Sequence, residues 1–186
     1  HTAYRRQRQM CIRDSYMLEH CEDENERKYL MTHFLDGFRT TLFRQAQFAE
    51  FEHIAHRKMQ KGEPVTKDVL NELWHELNVQ YYGPDMRVDD EISYEWMRIP
   101  HFYTPYYVYQ YSTGYSAAVA FSKKILEGGK PAVDKYIGNF LCGGCSKNPI
   151  ELLKSAGVDM STPKPVDDAL NVFCLLYTSP SPRDGA

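Results

Sequence analysis

Between Glu22 and Met59 the chain carries one glycine, Gly37, and no proline. Over the same stretch apolar side chains recur at intervals of three and four, as Leu30, Phe34, Leu35, Phe38, Leu42, Phe43, Phe48, Phe51 and Ile54. That period lays a stripe along one face of a helix, whereas on a strand it would scatter across both faces. The stretch is therefore expected to be helical throughout. Gly37 costs about 1 kcal/mol against alanine in a helix interior, so it is expected either to bend the helix or to let another backbone come close. Lys61-Gly62-Glu63-Pro64 stops the helix.

The rest of the chain is punctuated in the same style. Thr66 stands as an N-cap before Val69, Leu70, Leu73, Trp74 and Leu77, the apolar face of a second helix that Tyr82-Gly83-Pro84-Asp85 ends. Asp89, Asp90 and Glu91 place three carboxylates where a helix N-terminus favours negative charge, ahead of Ile92, Tyr94 and Trp96. Pro100 disfavours helical geometry at Ile99, so a turn is expected there, with a new helix from Pro105 to Glu127 closed by Gly128-Gly129. Shorter helices fit Pro131 to Phe140 and Pro149 to Ala156, with Gly157 as the C-terminal cap of the latter, and a last one starts near Pro165. No segment alternates like a half-buried strand over more than a few residues, and no repeat period emerges. The expected fold class is all-α.

Composition narrows the function classes. Of 186 residues 42% are hydrophobic and 25% charged, which suits a packed globular chain rather than a disordered one. No apolar run approaches the roughly 18 residues of a membrane span, and a cytoplasmic location is expected. Twenty-two basic against 25 acidic side chains give a net charge of −3, so no basic field is present to attract nucleic acid. Five cysteines, an odd count, argue against a secreted disulfide framework.

The two ends read as foreign to the fold. Arg5-Arg6-Gln7-Arg8-Gln9-Met10-Cys11-Ile12-Arg13-Asp14-Ser15 resembles a translated transposase-end sequencing adapter, and Cys174-Leu175-Leu176-Tyr177-Thr178-Ser179-Pro180-Ser181-Pro182-Arg183-Asp184 resembles the opposite arm in reverse complement. Residues 1–15 and 174–186 are thus expected to be non-native, and 16–173 to be the natural segment. Setting the ends aside removes five arginines and two aspartates, which leaves the segment at −6, with Cys21, Cys142 and Cys145 as its thiols.

Several constellations invite chemistry. His75-Glu76 opens like the zincin signature His-Glu-x-x-His, but Val79 stands where the second histidine belongs, and an ordinary helical His–Glu pair accounts for it. His53 and His56 lie near Glu50 and Glu52 within reach of one ion on a helix, although a polar helix face explains the group as well. Cys142-Gly143-Gly144-Cys145 has redox or half-zinc spacing without a second pair, and a glycine-rich loop with two small side chains is the preferred reading. The densest cluster is aromatic: Tyr94, Trp96, His101, Tyr103, Tyr106, Tyr107, Tyr109, Tyr111 and Tyr115. Tyr103, Tyr107, Tyr111 and Tyr115 are spaced by four and Tyr106 and Tyr109 by three, so two stripes are expected on one helix. One can pack into the core while the other offers phenols to a cleft, and with His101 beside the Pro100 turn the segment supplies donors for a developing oxyanion.

Asp36-Gly37-Phe38-Arg39-Thr40-Thr41-Leu42-Phe43-Arg44-Gln45, Ala49-Glu50-Phe51-Glu52, Arg98-Ile99-Pro100-His101-Phe102-Tyr103 and Pro149-Ile150-Glu151-Leu152-Leu153-Lys154-Ser155-Ala156-Gly157-Val158-Asp159-Met160 resemble the C-terminal part of the oligoendopeptidase F family, within the thimet-oligopeptidase-like zinc metallopeptidases. The resemblance covers essentially all of Tyr16 to Phe173. It implies the C-terminal helical part of a larger, two-lobed, zincin-like metallopeptidase whose channel admits short peptides, with water on zinc carrying out hydrolysis. It implies further that the zinc ligands lie upstream of Tyr16, that the missing N-terminal portion of the same chain is a partner, and that the piece alone is inactive. By position after Arg98-Ile99-Pro100, His101 matches the family's substrate-contacting histidine, and Tyr103 is a second candidate for substrate binding. Tyr106 and Tyr109 match the tyrosines that donate to the scissile carbonyl. The competing expectation is a helical binding or scaffold domain in which the tyrosines are ordinary core; a redox protein using Cys142 and Cys145 is a third.

Overall fold

The computed structural model describes residues 13–178, and among them the backbone is helical with no strand, the expected all-α class. The described residues form two compact units, 40–112 and the combination of 13–39 with 113–178.

Within Thr40–Ser112, α3 (Arg44–Gln60) and α4 (Lys67–Tyr82) carry the apolar stripes read from sequence. The Thr66 side chain caps α4 by accepting from the Val69 N–H at 3.3 Å, as expected. Phe48, Phe51, Trp74, Leu77, Ile99 and Val108 form one core, with Leu70, Leu73, Tyr81, Trp96 and Phe102 packed against it. Trp74 is fully buried and meets Phe51 edge-on, with ring centroids 4.9 Å apart. The short helix expected after Asp89 is present as a 3₁₀ helix, Asp90–Arg98. With three residues per turn, Ile92, Glu95 and Arg98 fall on one edge. A second 3₁₀ segment, Pro100–Tyr103, follows the extended Ile99 that the proline imposes.

One local expectation fails here. The helix predicted from Pro105 begins only at Tyr109, because Tyr106 adopts φ +56°, a left-handed conformation that ends any right-handed helix. Tyr103 and Tyr107 therefore do not continue the stripe of Tyr111 and Tyr115, and the two predicted stripes do not form.

The other unit contains α1 (residues 13–20), α2 (Glu24–Gly37), the continuation of α5 (Tyr109–Tyr136), α6 (Pro149–Ser155) and α7 (Lys164–Thr178). Asp23 caps α2 by accepting from the Glu26 N–H at 2.8 Å. The stretch expected to be one helix stays helical, but between α2 and α3 it opens into a π-helical segment, Phe38–Phe43. Gly37 explains part of this: a Cβ there would lie 2.9 Å from the Tyr115 hydroxyl, so the close approach is by a side chain rather than by a backbone. Phe38 is fully buried against Phe34, Tyr115 and Phe173. A second core holds Ala117, Ala120, Phe121, Ala156 and Val158, with Tyr136, Phe140, Leu153 and Met160 around it.

The helix expected to close at Gly128-Gly129 instead resumes after a kink at Gly129, where φ is +57° and ψ is −145°. Its second arm runs on to Tyr136 and then into a π-helical turn, Ile137–Leu141, over the range predicted as a separate helix. Gly157, at φ +101°, follows α6 in the capping position expected for it. Of the segments expected to be non-native, 1–12 and 179–186 lie outside the described residues. Residues 13–15 are helical, Asp14 is buried and Ser15 meets Ser122 at 3.4 Å, while α7 continues through Cys174 to Thr178 with Leu175 and Tyr177 exposed.

Candidate functional site

The four residues singled out from sequence, His101, Tyr103, Tyr106 and Tyr109, all belong to the Thr40–Ser112 unit. His101 sits in the second 3₁₀ segment, half-buried, with its Nε2 3.3 Å from the Tyr111 hydroxyl. The imidazole stands edge-on to the Tyr111 ring and is stacked with Tyr107, and those two tyrosines are in turn edge-on to each other. Burial first, and then the hydrogen bond and charge of Tyr107, raise the Tyr111 phenol above its ordinary value. From sequence Tyr111 lies on one of two stripes whose division between core and cleft spacing leaves open; in the structure it orients His101.

Tyr106 is held differently. Its backbone N–H donates to Glu52 Oε1 at 2.7 Å, and its ring lies 5.0 Å from that of His56. Glu52 is 5% exposed, on the buried face of α3 one turn after Phe48. Tyr106 and Tyr109 are each 49% exposed, so both phenols stand at the surface of the unit rather than in its core. Tyr103 is 84% exposed. His101 meets the rings of Tyr107 and Tyr111, whereas Tyr106 meets that of His56.

The same unit contains a buried ion pair absent from the sequence reading. Arg44 and Arg98 both bond to Glu95 Oε1, Arg44 also lies over the Phe48 ring, and Glu95 is 8% exposed. Glu95 and Arg98 border an open cavity of about 580 Å³ together with Asn78, Tyr82 and Tyr94. Sequence separations of 51 and 54 residues hide the Arg44–Glu95 and Glu52–Tyr106 pairs. The available signal was Glu52 itself, a carboxylate at helical spacing from Phe48.

The metal-like groupings resolve into other contacts. Glu50 accepts from the Tyr81 hydroxyl at 2.9 Å, and burial followed by that bond pushes the Tyr81 phenol well above its usual range. Glu52 serves Tyr106, and His56 Nδ1 bonds to the Glu52 carbonyl at 2.8 Å. His75 is half-buried beside an exposed Glu76. Among the described residues no group of three histidine, cysteine, aspartate or glutamate side chains could hold a metal ion, so these residues do not fit a zinc site. In the other unit Cys142 and Cys145 are exposed. Gly143 between them has a packing reason, since a Cβ would meet Leu152 Cδ2 at 2.6 Å and the Asn139 carbonyl at 2.8 Å. No helix of the described residues is long and apolar enough to cross a membrane.

Known proteins resemble the chain closely. The model of Peptidase family M3 matches residues 9–172. Oligopeptidase PepF of Bacillus subtilis (strain 168) is 55% identical over 158 residues, which are 85% of this chain and 23% of that protein. The plasmid oligoendopeptidase F of Lactococcus lactis subsp. cremoris is 43% identical over 157 residues, 84% of this chain and 26% of the relative. The crystal structure of oligoendopeptidase-F from Enterococcus faecium superposes with a TM-score of 0.84 at 47% identity, covering 88% of this chain and 31% of that one. The chain thus spans about a quarter of the length of the curated relatives it matches. Sequence and fold agree over nearly all of the described residues, and the chain belongs to peptidase family M3.

Proposed function

We propose that the chain is the substrate-facing, C-terminal helical segment of a larger, two-lobed, zinc-dependent oligoendopeptidase that hydrolyses short peptides in the cytoplasm. In this reading residues 16–173 are its natural part and the flanking residues are adapter-derived. Exposure of Leu175 and Tyr177 at the end of α7, against full burial of Ala169 earlier in it, supports the boundary near Phe173. The zinc belongs to ligands elsewhere in the parent protein, and the partner of this segment is the rest of that chain.

The observation that carries the reading is the exposure of Tyr106 and Tyr109. Ordinary core tyrosines of a scaffold domain would be buried; these two stand half-exposed within ten residues of His101. A phenol O–H aimed at a carbonyl oxygen that gains negative charge stabilises the transition state more than the ground state, which is the condition for raising kcat. Tyr106 and Tyr109 are given that role. His101, steadied by Tyr111, contacts the bound peptide, and Tyr103 extends the same surface.

A zinc and peptidase assay on the isolated chain tests the proposal. The expected result is no stoichiometric zinc binding and no peptide cleavage, with chelator-sensitive cleavage when the rest of the parent protein is present. Chelator-sensitive cleavage by the chain alone would contradict it.

A further inference from the structure

Tyr106 is the one non-glycine residue with positive φ among the described residues, at +56°. For an L-residue with a bulky side chain that conformation is strained and persists only when its surroundings over-determine it. Glu52 supplies that constraint from 54 residues away. Its carboxylate, 5% exposed, accepts the Tyr106 N–H at 2.7 Å, a charge-assisted bond within a largely apolar environment. The His56 ring, one turn further along α3, sits 5.0 Å from the Tyr106 ring and limits its swing. Phe51, next to Glu52, is locked against Trp74 and Phe102, so the stretch of α3 that holds the carboxylate is itself fixed by packing. A buried carboxylate is costly unless its partners are good, and hydrophobic packing alone would be served better by leucine at this position.

We propose that Glu52 is a positioning residue: its buried carboxylate holds the Tyr106 backbone in the left-handed conformation that ends the preceding turn and sets the direction of the Tyr106 phenol. The inference rests on the proposed role of Tyr106 for its catalytic meaning, but not for its structural content.

The test separates the two. In the full chain, amide hydrogen exchange at Tyr106 is followed in the native protein, Glu52→Gln and Glu52→Ala. Loss of a charge-assisted bond is expected to speed exchange at Tyr106 by about tenfold or more in Glu52→Ala, with the α4 amides unchanged. Glu52→Gln, which keeps an acceptor oxygen, is expected to retain most of the protection while shifting the Tyr106 amide proton resonance upfield. Unchanged exchange in a folded Glu52→Ala variant would overturn the proposal. Should that variant fail to fold, an unmoved Tyr106 resonance in Glu52→Gln would overturn it equally. In the intact peptidase, Glu52→Ala is expected to lower kcat with KM nearly constant, and Glu52→Gln to restore part of it. Faster Tyr106 exchange with kcat unaltered would uphold the positioning role and remove Tyr106 from catalysis.

Discussion

The Tyr111 hydroxyl lies 3.3 Å from His101 Nε2, with the two rings nearly perpendicular at 88°. Tyr111 lies in the first turn of α5 and His101 sits in the 3₁₀ turn before it, so the pair ties the turn to the helix. Tyr111→Phe keeps the ring packing and deletes the hydrogen bond. About 1 kcal/mol of orientation is lost, so KM for a short peptide in the intact enzyme is expected to rise about fivefold with a smaller change in kcat. Steady-state kinetics of the single variant check this; an unchanged KM would remove Tyr111 from the site.

Gly37 faces a direct contest between two effects. Alanine gains about 1 kcal/mol in helix propensity, but its Cβ would lie 2.9 Å from the hydroxyl of Tyr115, a buried ring held edge-on by Phe38. Overpacking costs about 1–3 kcal/mol, so Gly37→Ala is expected to destabilise the chain on balance. In a Tyr115→Phe background, where the offending oxygen is absent, the same substitution is expected to be neutral or stabilising. Urea denaturation of the four variants measures the cycle.

Acid sensitivity is expected to come partly from Asp159. Hydrogen bonds from Lys154 Nζ at 2.8 Å and from the Ser161 hydroxyl and N–H hold its carboxyl down to about 2. A carboxyl depressed in the folded state favours folding above its ordinary value of about 3.9 and loses that contribution as pH falls from there toward about 2. Asp159→Asn is therefore expected to flatten the fall in thermal midpoint between about pH 4 and pH 2. An identical slope in both proteins would contradict this.

Elements set by local chemistry were legible in the sequence. Thr66 announced the start of α4, Gly157 the end of α6, and the stripe from Leu30 to Ile54 the long helical stretch. What stayed hidden depended on contacts distant along the chain. The tyrosine segment has helical spacing throughout, yet Glu52 holds Tyr106 at φ +56° and delays the helix to Tyr109. The π-helical opening at Phe38–Phe43 follows Gly37, whose neighbour Tyr115 is 78 positions further along the chain and whose effect no local propensity encodes. At the candidate site the aromatic segment is visible from composition, but within it only the resemblance to the oligoendopeptidase F family singles out His101, Tyr106 and Tyr109. The residues that contact two of them, Tyr111 and Glu52, carry no such signal: Tyr111 lies on one of two stripes that spacing leaves undivided between core and cleft, and Glu52 reads as part of a polar helix face.

The catalytic role of this segment depends on what Tyr106 and Tyr109 do for the scissile carbonyl, and kinetics of Tyr106→Phe and Tyr109→Phe in the intact peptidase address it most directly. Each variant keeps its ring and loses one O–H donor, so kcat is expected to fall by about 10²–10³ while KM for a short peptide stays within about threefold. If kcat in both variants equalled that of the native enzyme, the phenols would be bystanders and the assignment of this segment to the reacting carbonyl would be wrong.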